Sequence, residues 1–258
     1  MFSIIIPTMQ KDLHVLHMLL LELQESPYVG EILIIDNANI ALDTSAYSKV
    51  KVLPQEENLY VNPSWNLGIK SASKEFEYFG IINDDLIFSK GFLSQVHEFL
   101  KLADGNVGLV GIDCLINTPI DQFDTYPKDT VLEFKQINKM LGFWGSAFFG
   151  RKENYHNIPE EMKVFYGDHY LFTRNLQNHK KNYLITNVKI KHIESLTSHS
   201  NKRLRNYFRH DRKICIKHNG VEYQHLSTLQ KLFSFTYYHE HHVLTILGVK
   251  IKIKKKVK

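Results

Sequence analysis

The feature that most constrains this chain is the alternation, through its first half, of short apolar runs with longer amphipathic stretches. Residues 2–7, 31–36, 51–53, 78–82 and 107–112 are short, dominated by Ile, Val, Leu and Phe, and read as buried strands. Between them, 13–23 sets Leu13, Leu16, Leu19, Leu20 and Leu23 at helical spacing, 64–73 follows Pro63, and 91–103 repeats the helical pattern. Strands that alternate with helices must cross over, and the crossovers are right-handed. The expectation is an α/β fold with a mixed, mostly parallel sheet and helices on both faces. Such sheets bind ligands at the carboxyl ends of their strands. Asp36 and Asn83-Asp84-Asp85 stand at two of those ends.

The second half is less regular. Residues 113–139 contain Pro119 and Pro127, and 142–149 is aromatic and glycine-rich. Residues 162–174 read as a loop entering a helix, and 183–192 as a strand. Beyond about Ser200 the pattern turns helical and basic, and 249–258 alternates Val-Lys-Ile-Lys-Ile-Lys before closing in lysines. The expected organisation is a main α/β domain over 1–200 and a basic, aromatic, helical extension over 201–258.

Charge follows the same division. The net charge of +5 averages two unlike parts. Residues 1–188 carry 16 Lys/Arg against 23 Asp/Glu, a net of −7; residues 189–258 carry 16 against 4, a net of +12. A basic, aromatic tail on an acidic body fits an anionic partner such as membrane phosphate, nucleic acid or an acidic substrate, or else a solvated face. The 258 residues suffice for one large domain with an appendage, and 43% hydrophobic with 23% charged residues excludes disorder. Cys114 and Cys215 lie far apart with no CxxC, which excludes a disulfide scaffold and a thiolate zinc site. No apolar run reaches 18 residues, and the chain opens directly with a strand pattern instead of a signal sequence, so a cytoplasmic location is expected.

Two nucleotide signatures are absent. No GxGxxG follows the first strand, and the Gly145 to Gly150 interval leads into Arg151-Lys152 where a phosphate-binding loop needs Lys-Ser/Thr. Gly145-Ser146-Ala147 is not a nucleophile elbow. The adjacent carboxylates Asp84-Asp85 either hold a hard divalent cation, completed by a substrate's phosphates, or make a turn.

The ordered set of motifs resembles the family 2 inverting glycosyltransferases, of GT-A fold. Phe2-Ser3-Ile4-Ile5-Ile6-Pro7-Thr8 is similar to their opening strand, and Ile34-Ile35-Asp36-Asn37 to their second. Glu57-Asn58-Leu59 through Asn66-Leu67-Gly68 resembles their Asn-rich segment, and Asn83-Asp84-Asp85 falls where they have DxD. Gly142-Phe143-Trp144-Gly145-Ser146-Ala147 is similar to their acceptor loop, Tyr166-Gly167-Asp168-His169 to their Glu-Asp base motif, and Lys191-His192-Ile193-Glu194-Ser195 to their late metal-binding strand. The resemblance spans about residues 2–200. It implies Asp168 as general base; Pro7, Thr8, Asp36, Asn37, Asn66, Asn83 and Asp84 on the nucleotide-sugar donor; Trp144 and Gly145 on the acceptor; and Asp85 with His192 on Mn²⁺ or Mg²⁺. Two positions depart from the pattern: Asn83 replaces the first carboxylate of DxD, and Gly167 replaces the Glu of the base motif.

The implied activity is metal-dependent, inverting transfer of a sugar from a nucleotide donor, a UDP-sugar foremost, to a hydroxyl of a bacterial surface glycan such as capsule or lipopolysaccharide. Each residue has a plainer role beside this one. Asp36 and Asp168 are helix-capping types, Asn66 a helix-surface residue, Trp144 a core residue, and His192 a structural histidine. The apolar and lysine-rich tail, 243–256, fits a peripheral position on the anionic inner membrane face beside a lipid-linked acceptor. No nucleic-acid-binding module is present. His239-Glu240-His241-His242 lacks metal-helix spacing and suits an interface, such as a homo-oligomer contact. The alternatives are a sugar-phosphate nucleotidyltransferase and a catalytically degenerate adaptor of the same fold.

Overall fold

In the computed structural model, residues 1–88, 91–103, 105–116, 131–140, 144–192, 202–219, 233–237, 241–247 and 249–254 are described. They form two units, Met1–Val221 and Glu222–Lys258.

The first unit is built on one large sheet. Strands β1 (Phe2–Thr8), β2 (Val29–Asp36), β3 (Val50–Pro54) and β4 (Tyr78–Ile82) lie parallel in the order β3-β2-β1-β4. The sheet continues through β8 (Ala147–Arg151), β6 (Val107–Ile116) and β9 (Lys181–His192) to the two-residue β5 (Leu86–Ile87), and β7 (Phe134–Ile137) also pairs with β9. Six described strands run one way, and β5, β7 and β8 run against them. The mixed, mostly parallel sheet expected from the sequence is the observed one.

Helices cover both faces because the strands are apolar on both. Along β1, Phe2, Ile4 and Ile6 join one buried cluster while Ile5 joins the other, as the two-residue period of a strand requires. The first cluster takes α1 (Leu13–Glu25) and α3 (Phe92–Leu102). Asp12 caps α1 by accepting from the Val15 N–H at 3.1 Å. Val15, Leu16, Leu19, Leu20 and Leu23 are all fully buried, contributing on the order of 10 kcal/mol of apolar burial. The second cluster takes Trp65 of α2 (Val61–Ser71), Tyr170, Leu171 and Phe172 of α4 (Gly167–Gln177) and Cys215 of α5 (Lys202–Asn219). Pro63 falls in the first turn of α2, where its missing N–H costs nothing.

Two observations revise the expected organisation. The boundary lies after residue 221 and not after 200, because α5 is tied to the first unit. Buried Asp211 of α5 accepts from the N–H groups of Val164, at 2.8 Å, and Phe165, at 3.0 Å. Beyond α5 the described chain is a sheet and not a helix: β10 (Phe233–Tyr237), β11 (His241–Ile246) and β12 (Val249–Lys254) form an antiparallel meander. The Val-Lys-Ile-Lys alternation of 249–254 is the period-two signature of a strand, and it outweighs the helical reading of its surroundings. Register puts Phe233, Phe235, Leu244, Ile246, Val249 and Ile251 on one face and Lys250, Lys252 and Lys254 on the other.

Candidate active site

The site gathers where β1, β2 and β4 end. Parallel register sets Thr8 beside Asp36, and the Asn37 N–H donates to the Thr8 carbonyl at 3.0 Å. The Thr8 hydroxyl donates to Asp84 Oδ2 at 2.5 Å, so the turn after β1 is clamped to the turn after β4. Pro7 precedes Thr8 inside β1, paired with Ile35. The Asn83 N–H donates to the Ser146 carbonyl at 3.0 Å, bringing the 144–146 turn against the carboxylate turn. Asp168 stands in the first turn of α4, where a carboxylate suits the positive end of the helix. Gly145 sits directly against it, and any side chain at 145 would collide with the Asp168 carboxylate. On the far side of the turn, Leu86 pairs with His192, which sets Asp85 next in sequence to the β9 register position of His192. Thr8, Asn83, Asp84, Asp85, Gly145, Asp168 and the backbone of His192 are thus linked through direct neighbours, although their sequence positions span most of the first unit.

The two central carboxyls are driven in opposite directions. Burial is the main cause at Asp84; the Thr8 hydroxyl pulls downward, the Asp85 charge adds to the rise, and the carboxyl ends at about 6. At Asp168 burial again pushes up, but the His169 imidazole beside it and the hydrogen bonds from His169 outweigh burial. Asp168 Oδ1 accepts from the His169 N–H at 2.8 Å and meets His169 Nδ1 at 3.1 Å, so the carboxyl lies below its ordinary value.

Other expected residues are occupied with the fold. Asp36 is buried, and its carboxylate accepts from Ala38 N–H at 2.9 Å and Ile40 N–H at 3.2 Å, folding the loop after β2. That loop and β3 enclose a cleft of about 470 Å³ walled by Asp36, Ile40, Leu42, Val52 and Pro54. Asn37 is buried as well, donating to Ser64 Oγ at 3.0 Å and accepting from Leu59 N–H at 2.9 Å, which docks the Asn-rich segment on β2. Asn66 bonds a different segment. Its amide donates to the Ile158 carbonyl at 2.8 Å and accepts from Tyr155 Oη at 2.8 Å and Ile158 N–H at 3.0 Å. These bonds hold the 155–158 segment, so the side chain serves the scaffold. Trp144 opens a 3₁₀ turn, and its side chain, like that of His192, lies outside what the structure describes. Gly142, Phe143, 193–195, 238–240 and 255–258 also lie outside the described residues. Among the described residues no three His, Cys, Asp or Glu side chains are grouped to hold a metal by themselves.

Sequence reasoning passed over Asn62. This buried side chain donates to the Phe165 carbonyl at 3.0 Å, and its N–H donates to the Lys163 carbonyl at 2.9 Å. It therefore fastens the start of α2 to the segment that leads into Asp168. Asn62 and Trp65 also explain Gly167, because a side chain there would strike Asn62 Oδ1 and the Trp65 ring. No sequence signal marks this, since the contact joins segments a hundred residues apart.

Comparison with known proteins decides the family. The profile of "Glycosyl transferase family 2" matches residues 3–175, two thirds of the chain. The chain belongs to glycosyltransferase family 2. No curated protein gives a significant match. Among solved structures, one described as the crystal structure of GalNAc-T7 with UDP, GalNAc and Mn2+ superposes with a TM-score of 0.56 at 12% identity. The match covers 84% of this chain and 48% of that one, so this family 2 chain spans about half the length of its structural neighbour and shares its GT-A fold.

Proposed function

We propose that this protein is a metal-dependent, inverting glycosyltransferase that moves a sugar from a nucleotide-diphosphate donor, a UDP-sugar foremost, to a hydroxyl of a surface-glycan acceptor. The observation that carries this reading is the convergence of Thr8, the Asn83-Asp84-Asp85 turn, Gly145 and Asp168 at the strand ends. The family match supports it, and the neighbour crystallised with UDP and Mn2+ makes UDP the first nucleotide to try.

Each residue then has a chemical task. The apolar cleft beside Asp36 suits a nucleotide base, with Ile40, Leu42, Val52 and Pro54 against its faces and Asp36 at its polar edge. Asp84, held by Thr8, would hydrogen-bond the ribose or the donor sugar. The donor set at the turn fits a hard divalent ion: two carboxylates stand side by side, and His192 follows in register. Asp85 and His192 would hold Mn²⁺ or Mg²⁺, with the remaining ligands from donor phosphates and water. When bound, the ion neutralises charge on the departing diphosphate. Asp168 takes the proton from the acceptor hydroxyl as its oxygen attacks the anomeric carbon and the bond to the diphosphate breaks. A carboxylate ionised at neutral pH and shielded by Gly145 and α4 is suited to that step.

The adaptor alternative rested on Asn83 and Gly167. Packing against Asn62 and Trp65 accounts for Gly167, which leaves that alternative weaker. The second unit supports a peripheral position on the anionic inner membrane face: Ile246, Val249 and Ile251 are exposed on its apolar side. No helix among the described residues is long and apolar enough to cross a membrane. A lipid-linked capsule or lipopolysaccharide intermediate would be reached from that position.

The deciding experiment is calorimetric titration with UDP, GDP and CMP, with and without Mn²⁺. Metal-dependent binding of one nucleotide, lost in Asp85→Ala, is the expected result. Binding of none by the folded protein overturns the proposal.

A further inference from the structure

A run of aromatic side chains leads away from Asp168, and beyond His169 none of it has a part in the chemistry above. The His169 ring, which meets the Asp168 carboxylate through Nδ1 at 3.1 Å, lies 5.1 Å from the Tyr166 ring. Tyr166 lies 5.2 Å from Phe208 of α5, and Phe208 lies 5.3 Å from Phe165. Beside Phe208 on the helix, Tyr207 lies 4.9 Å from Tyr60 at the start of α2. Phe208 is 43% exposed and the His169 side chain 46%, so the run is open to solvent beside the carboxylate and on the helix.

Two of its tyrosines keep backbone shapes that suit glycine. Tyr60 has φ 68° and ψ −170°, and Tyr166 has φ 62° and ψ 6°. The Tyr60 shape is strained for a residue with a side chain. It is held by the Tyr60 N–H donating to Asn58 Oδ1 at 2.7 Å and by the Ser64 hydroxyl donating to the Tyr60 carbonyl at 2.5 Å. Strain of this kind persists at sites where the side chain is needed.

We propose that Tyr60, Tyr166, His169, Tyr207 and Phe208 form a platform for the sugar rings of the acceptor, an inference that rests on the glycosyltransferase reading. A pyranose presents C–H faces that pack on aromatic rings and a rim of hydroxyls that bond to phenol and imidazole groups. The ring seated on Tyr166 and His169 offers its hydroxyl to Asp168, and the sugars behind it extend over Phe208.

The test uses the full chain on a printed array of bacterial-type oligosaccharides, with UDP and Mn²⁺ present. Wild type should be retained on a subset of the sugars. Phe208→Ala and Tyr166→Gly should each weaken retention about tenfold, the scale of one lost aromatic contact. Phe208→Trp should keep it. Equal retention of wild type and Phe208→Ala overturns the platform, as does a wild type that retains no sugar. Calorimetry with UDP and Mn²⁺ on the same samples separates the two readings. UDP binding with sugar retention indifferent to Phe208 removes the platform alone; no UDP binding by wild type removes the transferase reading and the platform with it.

Discussion

At the scale of single residues, the site holds one carboxyl above its ordinary range and one below it. Asp84 has a folded value near 6 against 3.8 for a free side chain. The folded state therefore keeps a proton that the unfolded chain has released, and stability falls as pH rises between those two values. Above that window the penalty is on the order of 3 kcal/mol. Asp84→Asn should accordingly melt higher than wild type at pH 8 in metal-free buffer, with the gap closing by pH 4. A gap that ignores pH would mean that Asp84 is not held against its preference. Asp168 behaves oppositely. Its lowered value contributes stability above the unfolded pKa, and that contribution is lost as pH falls through the folded one. It stays ionised through the neutral range. Asp168→Asn should cut transfer by about two to four orders of magnitude while nucleotide binding measured by calorimetry stays nearly constant. Comparable loss of both would take Asp168 out of the base role.

At the scale of elements, the site depends on how α2, α4 and α5 are bolted to one loop. Asn62 of α2 and Asp211 of α5 both bond the backbone of 163–165, immediately before Tyr166 and Asp168. Asp211→Ala removes the acceptor of two part-buried N–H groups and should cost roughly 1–3 kcal/mol in denaturant unfolding, with transfer falling further than stability alone requires. Gly167→Glu, which would restore the family's acidic pair, should instead destabilise by roughly 1–3 kcal/mol because Asn62 and Trp65 occupy the space. An unchanged midpoint in urea would show that the cradle yields. The strands and helices themselves were legible in the sequence: residues 78–82 are the observed β4, and Leu16, Leu19, Leu20 and Leu23 are in the buried stripe of α1, although Leu13, expected with them, is exposed at the helix start. Both patterns are local, and burial on one or both faces writes them directly into the order of residues. The uses of Asn37 and Asn66 were not legible. An amide bonded to a loop 92 residues away has the same sequence appearance as one facing a ligand.

At the scale of the whole molecule, the basic stretch begins before the architecture divides: of its 16 Lys/Arg, nine lie in residues 189–221 of the first unit and seven in the second. The first unit is the family 2 fold, and the second is a small antiparallel sheet with an apolar face and a lysine face. Lysines near an anionic surface contribute about 1 kcal/mol each, and exposed apolar side chains add burial in the headgroup layer. Replacing Val249 and Ile251, which are 65% and 46% exposed, by serine should weaken co-sedimentation with phosphatidylserine vesicles and leave UDP binding intact. Sedimentation equal to wild type would show that this face meets something other than lipid.

The sequence by itself determined the α/β class, the strand-helix order, the family resemblance and the carboxylates at the strand ends, because period and motif order are properties of neighbouring residues. Only the tertiary structure decided which of those residues meet. Gly145 lies on Asp168, Thr8 holds Asp84, and Asp211 anchors the loop before Asp168 through contacts between distant segments. It also decided that Asn66 bonds the 155–158 segment, that Gly167 fits against Asn62 and Trp65, and that 233–237, 241–246 and 249–254 pair as a sheet. Contacts of that kind depend on the sheet bringing remote strand ends to one edge, which no local pattern encodes.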